Sequence, residues 1–493
     1  MSAAAETGYR VPLLLRGEIV EGGDMAFGGR RGGVSFTAPD VAGHLGELVL
    51  STPSRMADIA GLPFAEIERF LAALGERLDP ATNPHLAEAF ALACHTSGLS
   101  RSLLVEYYRG IPGMLQPDAV RDVAERMVGL DYLNGWVEQP RGRNRHGTLR
   151  IRAVGSRAVH IIAGNVPVVG VATVLRNAIT RSDAIIKTPS NDPLTAAAIV
   201  RTMIELDPGH PITRHTSVAY WKGGDARIED ALYDPRRIEK IVAWGGFAGI
   251  RHLTQYLQPG LDLITLDPKH SSSLIGPEAF ADEATLHEVA LRLALDIGTM
   301  NQEGCVNARV IYVLSGTDPA GLERANRLGA ATYAALQRLP DSVSTPHKAF
   351  DRDLREEIAA LAFVPDAYRV FGGQGNEGAL IVSQDGAPVD FARQLACRVG
   401  NIVPIDRVEE AILSVNAYTQ TIGIYPDRLK AAVRDRLAWQ GAQRLVSLGG
   451  AGLDQTPGPQ DGIEPLRRMV KWITDEDLGA ETFAPFRAGQ EPG

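Results

Sequence analysis

The feature that most constrains this chain is an alternation between residues 158 and 267, in which short apolar runs are each followed by a stretch with helical spacing. AVHIIA reads as a buried strand, broken by GNVP before a helix from about Val169 to Arg181. AIIKTP is the next strand, followed by a helix from Pro193 to Glu205. VAYW, a short helix near Asp225 to Leu232, KIVAWGG, a helix from Phe247 to Leu257 and LITLD complete the run. Strands that alternate with helices in this way imply a parallel, doubly wound sheet with helices on both faces. Ligands of such sheets bind outside the carboxyl ends of the strands, so GNVP, KTPSND and WGGFAG are expected on one rim.

Around this core the chain, 493 residues long, has room for two or three domains. Residues 1–150 read as mostly helical after an irregular, glycine-rich opening, with helical spacing over Thr52 to Leu78 and His85 to Leu115. In the turn-rich PRGRNRHGTLRIRAVGSR, the LRIRAV portion alternates apolar and charged residues and predicts an exposed edge strand used in assembly. A second α/β unit is expected from Pro268. Leu286, Val289, Ala290, Leu293, Ala294 and Ile297 form one helical face, followed by strands VIYVL and ALIVS. A helix Pro388 to Cys397, strand NIVPI and helix Val408 to Asn416 come next, then a Gly/Pro-rich loop and an amphipathic end, PLRRMVKWITDEDL.

Composition excludes some functions. The net charge is −9 and no dense basic stretch occurs, which argues against nucleic acid or an anionic membrane as the main partner. In the opening MSAAAETGYRVPLLLRG, the apolar run VPLLL is too short for a signal-peptide core or a membrane span. Cys94, Cys305 and Cys397 make neither a metal-spaced pair nor a disulfide framework. A cytoplasmic protein without a metal site or membrane span is the expectation.

Cys305 carries the chemistry, if any residue does. A free cysteine is commonly buried packing, and Cys94 and Cys397, both read as helical, fit that description. Cys305 instead follows Gly304 at a helix-to-strand turn, among Asn301, Gln302, Glu303 and Asn307. A thiolate there would attack a carbonyl or thioester. Asn165 in GNVP either caps the following helix or donates to an oxyanion at Cys305, which requires two distant segments to meet. In WGGFAG, paired glycines between strand and helix would let a pyrophosphate approach the backbone, although many tight turns look similar. His210 and His215 have no third ligand nearby and read as loop residues.

GNVP, IIKTPSNDP, IVAWGG and NQEGCVNARVIYV, in this order and spacing, resemble the aldehyde dehydrogenase superfamily, and most closely its LuxC-type acyl-CoA reductase branch. The resemblance runs from roughly residue 130 to 475. It implies an aldehyde dehydrogenase-like α/β fold with three divisions. Residues 1–267 would be the cofactor-binding domain, comprising a helical region over residues 1–136, an assembly arm at about 137–156 and a Rossmann-type region over residues 157–267. Residues 268–445 would be the catalytic domain, and 446–493 would return to the cofactor and oligomerisation region. By the same resemblance Cys305 forms an acyl-enzyme, and Asn165 with the Cys305 backbone N–H forms the oxyanion hole. Gly245 and Gly246, with Gly164, Val166 and Pro167, would border the cofactor, and Lys187 and Ser190 its adenosine ribose. Hydride then reduces the acyl-enzyme to a thiohemiacetal that releases aldehyde. A homodimer or homotetramer is implied, and an acyl-transfer or aldehyde-consuming enzyme is a possible partner.

Two departures refine what the resemblance implies. Hydrolytic members carry a glutamate in an ELGGK motif as the base that activates water; here the stretch is TLDPKHSSS. The nearest acid is Asp267, and His270 is either a substitute base or an exposed loop histidine. Slow attack by water makes coenzyme A the natural acyl acceptor and favours interconversion of an acyl-CoA with its aldehyde. A hydrolytic aldehyde dehydrogenase and a catalytically decayed binding subunit are the alternatives. The second departure is Ser190, where NAD-preferring members usually have a glutamate. It removes a charge that would repel a 2′-phosphate, favouring NADP(H) over NAD(H).

Overall fold

The computed structural model of the protein describes residues 8–29, 33–140, 147–266, 268–453 and 457–487. Two seven-stranded sheets organise it. In the first, Asp262–Leu266, Lys240–Trp244, Arg157–Ile161, Asp183–Lys187 and Thr216–Ala219 lie side by side in that order, all parallel. Their apolar runs are continuous because both faces are buried. Val159, Ile185, Ala219 and Ile241 pack into one core, and their neighbours Ile186, Val218 and Val242 into the opposite one. Full burial of each such side chain contributes about 1.5–3 kcal/mol, so both faces of these strands hold the sheet between its layers.

The expected helices follow each strand, at Val168–Thr180, Thr195–Leu206, Ala226–Leu232 and Phe247–Leu253. The first of them stops at Arg181, which takes a left-handed conformation (φ 51°). That strain is held by its guanidinium, which donates to the Leu62 and Leu133 carbonyls and to Asn134 Oδ1 at 2.6–2.9 Å.

The opening of the chain differs from expectation. Helices dominate only from Ala57 onward. Before them Leu13–Leu15 is a fully buried strand that pairs antiparallel with Thr216–Ala219 and turns back into Glu18–Val20. The apolar run VPLLL thus joins the first sheet between Thr216–Ala219 and the edge strand Glu18–Val20.

The second sheet has the order Tyr368–Gly372, Ala379–Ser383, Val399–Pro404, Ala308–Val313, His270–Ile275, Thr419–Tyr425 and Arg444–Ser447. The expected helix over Pro388 to Cys397 is absent; only Ala392–Gln394 makes a 3-10 turn. Val389, Phe391, Leu395 and Cys397 are the buried positions there, and their spacing of two or four suits an irregular, largely extended chain. Cys397 itself has φ 58° and is buried, which keeps its reading as packing while removing its helix.

LRIRAV is also placed differently. Thr148–Val154 is the middle strand of a three-stranded antiparallel sheet, between Val137–Gln139 and Lys471–Asp477. The amphipathic end PLRRMVKWITDEDL comprises a short helix, Pro465–Met469, followed by the edge strand Lys471–Asp477. Among the described residues no helix is long and apolar enough to cross a membrane.

Candidate active site

The turn that carries Cys305 begins where the Glu283–Gly298 helix ends against its neighbours. A β-carbon on Gly298 would lie 2.5 Å from Leu336 Cδ1, so the helix backbone runs hard against the next layer. Met300, Asn301 and Gln302 then adopt left-handed backbone angles in succession, at φ 57°, 52° and 66°. Each costs of order 1–2 kcal/mol for an L-residue, and the amide side chains of the motif offset that cost. Asn301 pairs with the backbone and hydroxyl of Thr345. Gln302 bonds the Ala308 carbonyl and both backbone groups of Val399. Asn307 accepts from the Gly304 N–H at 3.0 Å and donates to the Asp296 and Thr299 carbonyls. A β-carbon on Gly304 would lie 2.7 Å from Met300 Cε and 2.9 Å from Asn307 Oδ1, the atom that accepts from the Gly304 N–H.

Cys305 sits half-buried at the end of this turn. Ser271 Oγ donates to its carbonyl at 2.7 Å, and Gln420 Nε2 lies 3.1 Å from its sulfur. Burial pushes the thiol above its ordinary value and Asp461 adds to that, while Gln420 and Arg309 act in the opposite direction.

GNVP meets the turn directly. Asn165 Nδ2 donates to the Glu303 carbonyl at 3.0 Å across 138 residues of sequence. Pro167 is the N-cap of the next helix and no side chain caps it, so Asn165 is not a helix cap. Gly164 is buried against the neighbouring rim turn, where Asn191 Nδ2 donates to its carbonyl and an added β-carbon would fall 2.5 Å from Asn191 Oδ1. Val166 and Pro167 are buried beside it.

The other candidate residues line the same rim. Lys187 ends its strand with the Nζ atom 5.4 Å from the Trp221 ring and 5.8 Å from that of Tyr220. Burial pulls its ammonium down to about 8, against the opposing field of Glu229. Ser190 is half-buried in the following turn. Gly245 is half-buried, Gly246 is exposed, and a β-carbon on Gly246 would meet nothing within 4 Å. Among the described residues no cluster of three His, Cys, Asp or Glu side chains could hold a metal ion.

Asp267 lies outside the described residues. His270 is not an exposed loop residue: it begins a strand and is half-buried. Burial, reinforced by Arg309 and Arg393, lowers its pKa, and its Nδ1 is buried without a hydrogen-bond partner. It lines a cavity of about 390 Å³ together with Phe247, Ser271, Arg309, Tyr312 and Tyr418. Phe247, which opens the helix after the paired glycine, packs edge-on to Tyr418 at 5.4 Å, so this cavity joins the two sheets. Gln420, Asp461, Ser271, Arg309 and Asn191 reach the site without having stood out in the sequence.

The family model for acyl-CoA reductase (LuxC) matches residues 114–472. A long-chain acyl-protein thioester reductase 2 of Photobacterium leiognathi is 30% identical over 365 residues, which cover 73% of this chain and 71% of that protein. A long-chain acyl-protein thioester reductase of Aliivibrio fischeri is 30% identical over 323 residues, or 65% of this chain and 64% of the relative. Among solved structures, an NADP-dependent glyceraldehyde-3-phosphate dehydrogenase from Bacillus halodurans C-125 aligns with a TM-score of 0.73 at 15% identity, covering 95% of this chain and 99% of its own. Lactaldehyde dehydrogenase from Escherichia coli aligns at 0.70 and 15% identity, covering 96% and 100%. The fold is that of the aldehyde dehydrogenases.

Proposed function

Because the chain belongs to the acyl-CoA reductase (LuxC) family and is thus an oxidoreductase of acyl and aldehyde substrates, we propose that it interconverts an acyl-CoA and its aldehyde through a thioester on Cys305. The observation that carries this reading is the hydrogen bond from Asn165 to the Glu303 carbonyl, which brings the amide donor beside the cysteine turn. Cys305 acts as nucleophile: its sulfur bonds the acyl carbon while the bond to the leaving thiol breaks. Asn165 and the Cys305 backbone N–H hold the charge that develops on the acyl oxygen.

The rim suits a nicotinamide dinucleotide. The Lys187 ammonium is buried, stands over two rings and has no carboxylate within ion-pairing distance among the described residues, and the paired glycine leaves open space where a pyrophosphate would approach. Lys187 and Ser190 would hold the ribose, with Gly245 and Gly246 at the pyrophosphate and Gly164, Val166 and Pro167 shaping the floor. When bound, the cofactor supplies the hydride that takes the acyl group to the aldehyde level. Ser190 in place of an acid favours NADP(H), with NAD(H) also accepted. The edge strand Lys471–Asp477, exposed over most of its length, supports assembly into a dimer or tetramer through the arm. Three free cysteines suit the cytoplasm.

The relatives' names concern acyl-protein thioesters, so the donor is tested in both forms. We expect reduction of acyl-CoAs by NADPH faster than by NADH, and aldehyde oxidation that depends on added CoA. Undiminished aldehyde oxidation without CoA would establish the hydrolytic alternative. Activity confined to acyl-protein donors would overturn the choice of CoA, and no acyl adduct on Cys305 by mass spectrometry would leave the binding-subunit reading.

A further inference from the structure

Cys305 must lose its proton in a place that resists the loss. Burial and Asp461 both disfavour the thiolate; Arg309 is the cation that opposes them, and Glu303 acts on Arg309 in turn. The strands beside the cysteine carry an irregularity that bears on this. His270 pairs with Thr419 and Ser272 with Ile422, so Gln420 and Thr421 together stand opposite the single residue Ser271. On the other side Ser271 pairs with Ala308 and Ser272 with Val310, which leaves Arg309 as the extra residue. Bulges bend a strand locally and re-aim its side chains, and they concentrate beside reactive sites. Here two of them flank one serine, whose hydroxyl donates to the Cys305 carbonyl and accepts from the Thr421 N–H at 3.1 Å.

We propose that Gln420 is a further catalytic residue, its side-chain N–H donating to the Cys305 thiolate, and that Asp461 is the positioning residue that keeps the amide nitrogen, not its oxygen, toward the sulfur. The inference rests on Cys305 being the nucleophile of the proposed function. Gln420 is 5% exposed, and its Nε2 is within reach of the sulfur at 3.1 Å while it also donates to Asp461 Oδ1. An amide nitrogen has two hydrogens, so both bonds form together. Gln420 Oε1 is buried and has no partner. Turning the amide over would set that oxygen against a carboxylate and against the sulfur. Without Asp461 the oxygen could face the sulfur and accept from a neutral thiol; with Asp461 the site offers a donor, which only the thiolate can use fully.

Asp461 is held in place by backbone that few residues tolerate. It has φ 52°, precedes Gly462 at φ 77°, and lies in the turn closed by the Gln460–Ile463 pair. Strain of this kind persists where the surroundings demand one side-chain direction. In the acyl transfer itself, the bond from Cys305 sulfur to the acyl carbon forms, the bond to CoA sulfur breaks, and CoA leaves as its thiolate. The thiol proton of Cys305 passes to solvent beforehand, and no electrons are gained or lost.

The experiment is the pH dependence of Cys305 alkylation by iodoacetamide, followed on the Cys305 peptide by mass spectrometry, with enzyme acylation by an acyl-CoA measured in parallel. Gln420→Met keeps the volume and removes the donor. Its alkylation midpoint should move up by about one pH unit, slowing alkylation near neutrality about tenfold. Should that variant not fold, Gln420→Asn withdraws the donor by one methylene and should shift the midpoint the same way. Asp461→Asn keeps an acceptor for the amide and should acylate within about threefold of wild type, whereas Asp461→Ala should acylate about tenfold more slowly. An unmoved midpoint in the folded Gln420 variant, or an Asp461→Ala protein that acylates as fast as wild type, overturns the proposal. Failure of wild-type protein to take an acyl group from any acyl-CoA would sink the functional reading instead, because the alkylation measurement needs no substrate.

Discussion

A residue that ties the Cys305 turn to its surroundings by charge is His347. Its Nε2 lies 2.8 Å from Glu303 Oε1, two residues before Cys305. Burial alone would lower its pKa, but the Cys397 thiol and the Glu303 carboxylate outweigh burial and push the imidazolium up to about 10. A histidine whose pKa rises on folding contributes stability that is complete below about pH 6.5 and disappears as the pH climbs through 10. His347→Gln should therefore destabilise the protein by about 2–4 kcal/mol near pH 6, with the difference shrinking towards pH 10. Urea unfolding of both proteins at several pH values would check this, and a difference independent of pH would refute the charged pair. The turn before Cys305 was legible in the sequence because Gly304 and a cluster of amides mark it. His347 was not, since a lone histidine in STPHKAF has nothing near it in sequence to pair with.

Among the elements, the strand His270–Ile275 shows why apolar pattern is an incomplete guide. HSSSLI lacks the apolar run that announces a buried strand, yet Ser271 and Ser273 are buried within the second sheet. Serine suits this place because Ser271 spends its hydroxyl on the cysteine turn and on the strand beside it. Ser271→Ala should leave the Thr421 N–H buried without its acceptor, cost about 1–3 kcal/mol, and slow Cys305 acylation; thermal unfolding and a single-turnover acylation assay would show both, and acylation at the wild-type rate would argue that the hydroxyl only packs. The strands from Arg157 to Leu266 were legible because two buried faces demand unbroken apolar runs. The segment 388–397 misled because its apolar residues suggest a helical face while their spacing of two and four serves an irregular chain. Gln420 and Arg309 escaped notice for a related reason: register shifts bring them to the site, and pairing register is a property of two strands at once.

At the scale of the whole molecule, the three-stranded arm joins the end of the chain to its first third. Lys471–Asp477 pairs along the full length of Thr148–Val154, and Ser156 Oγ donates to the Met469 carbonyl at 2.6 Å. A protein ending at Val470 would expose the Thr148–Val154 backbone. If the proposed assembly runs through the arm, this protein should scatter light as a smaller species than the full-length chain, and it should unfold at lower temperature; a truncated protein of unchanged assembly size would remove the arm from the proposed interface. The same arrangement sets an order in time. Asp461 lies far beyond Cys305 along the chain, so a ribosome makes Cys305 well before the carboxylate proposed to orient Gln420. Until the last segment docks, Gln420 has no carboxylate to set its amide, and a half-made chain carries Cys305 without its oriented donor.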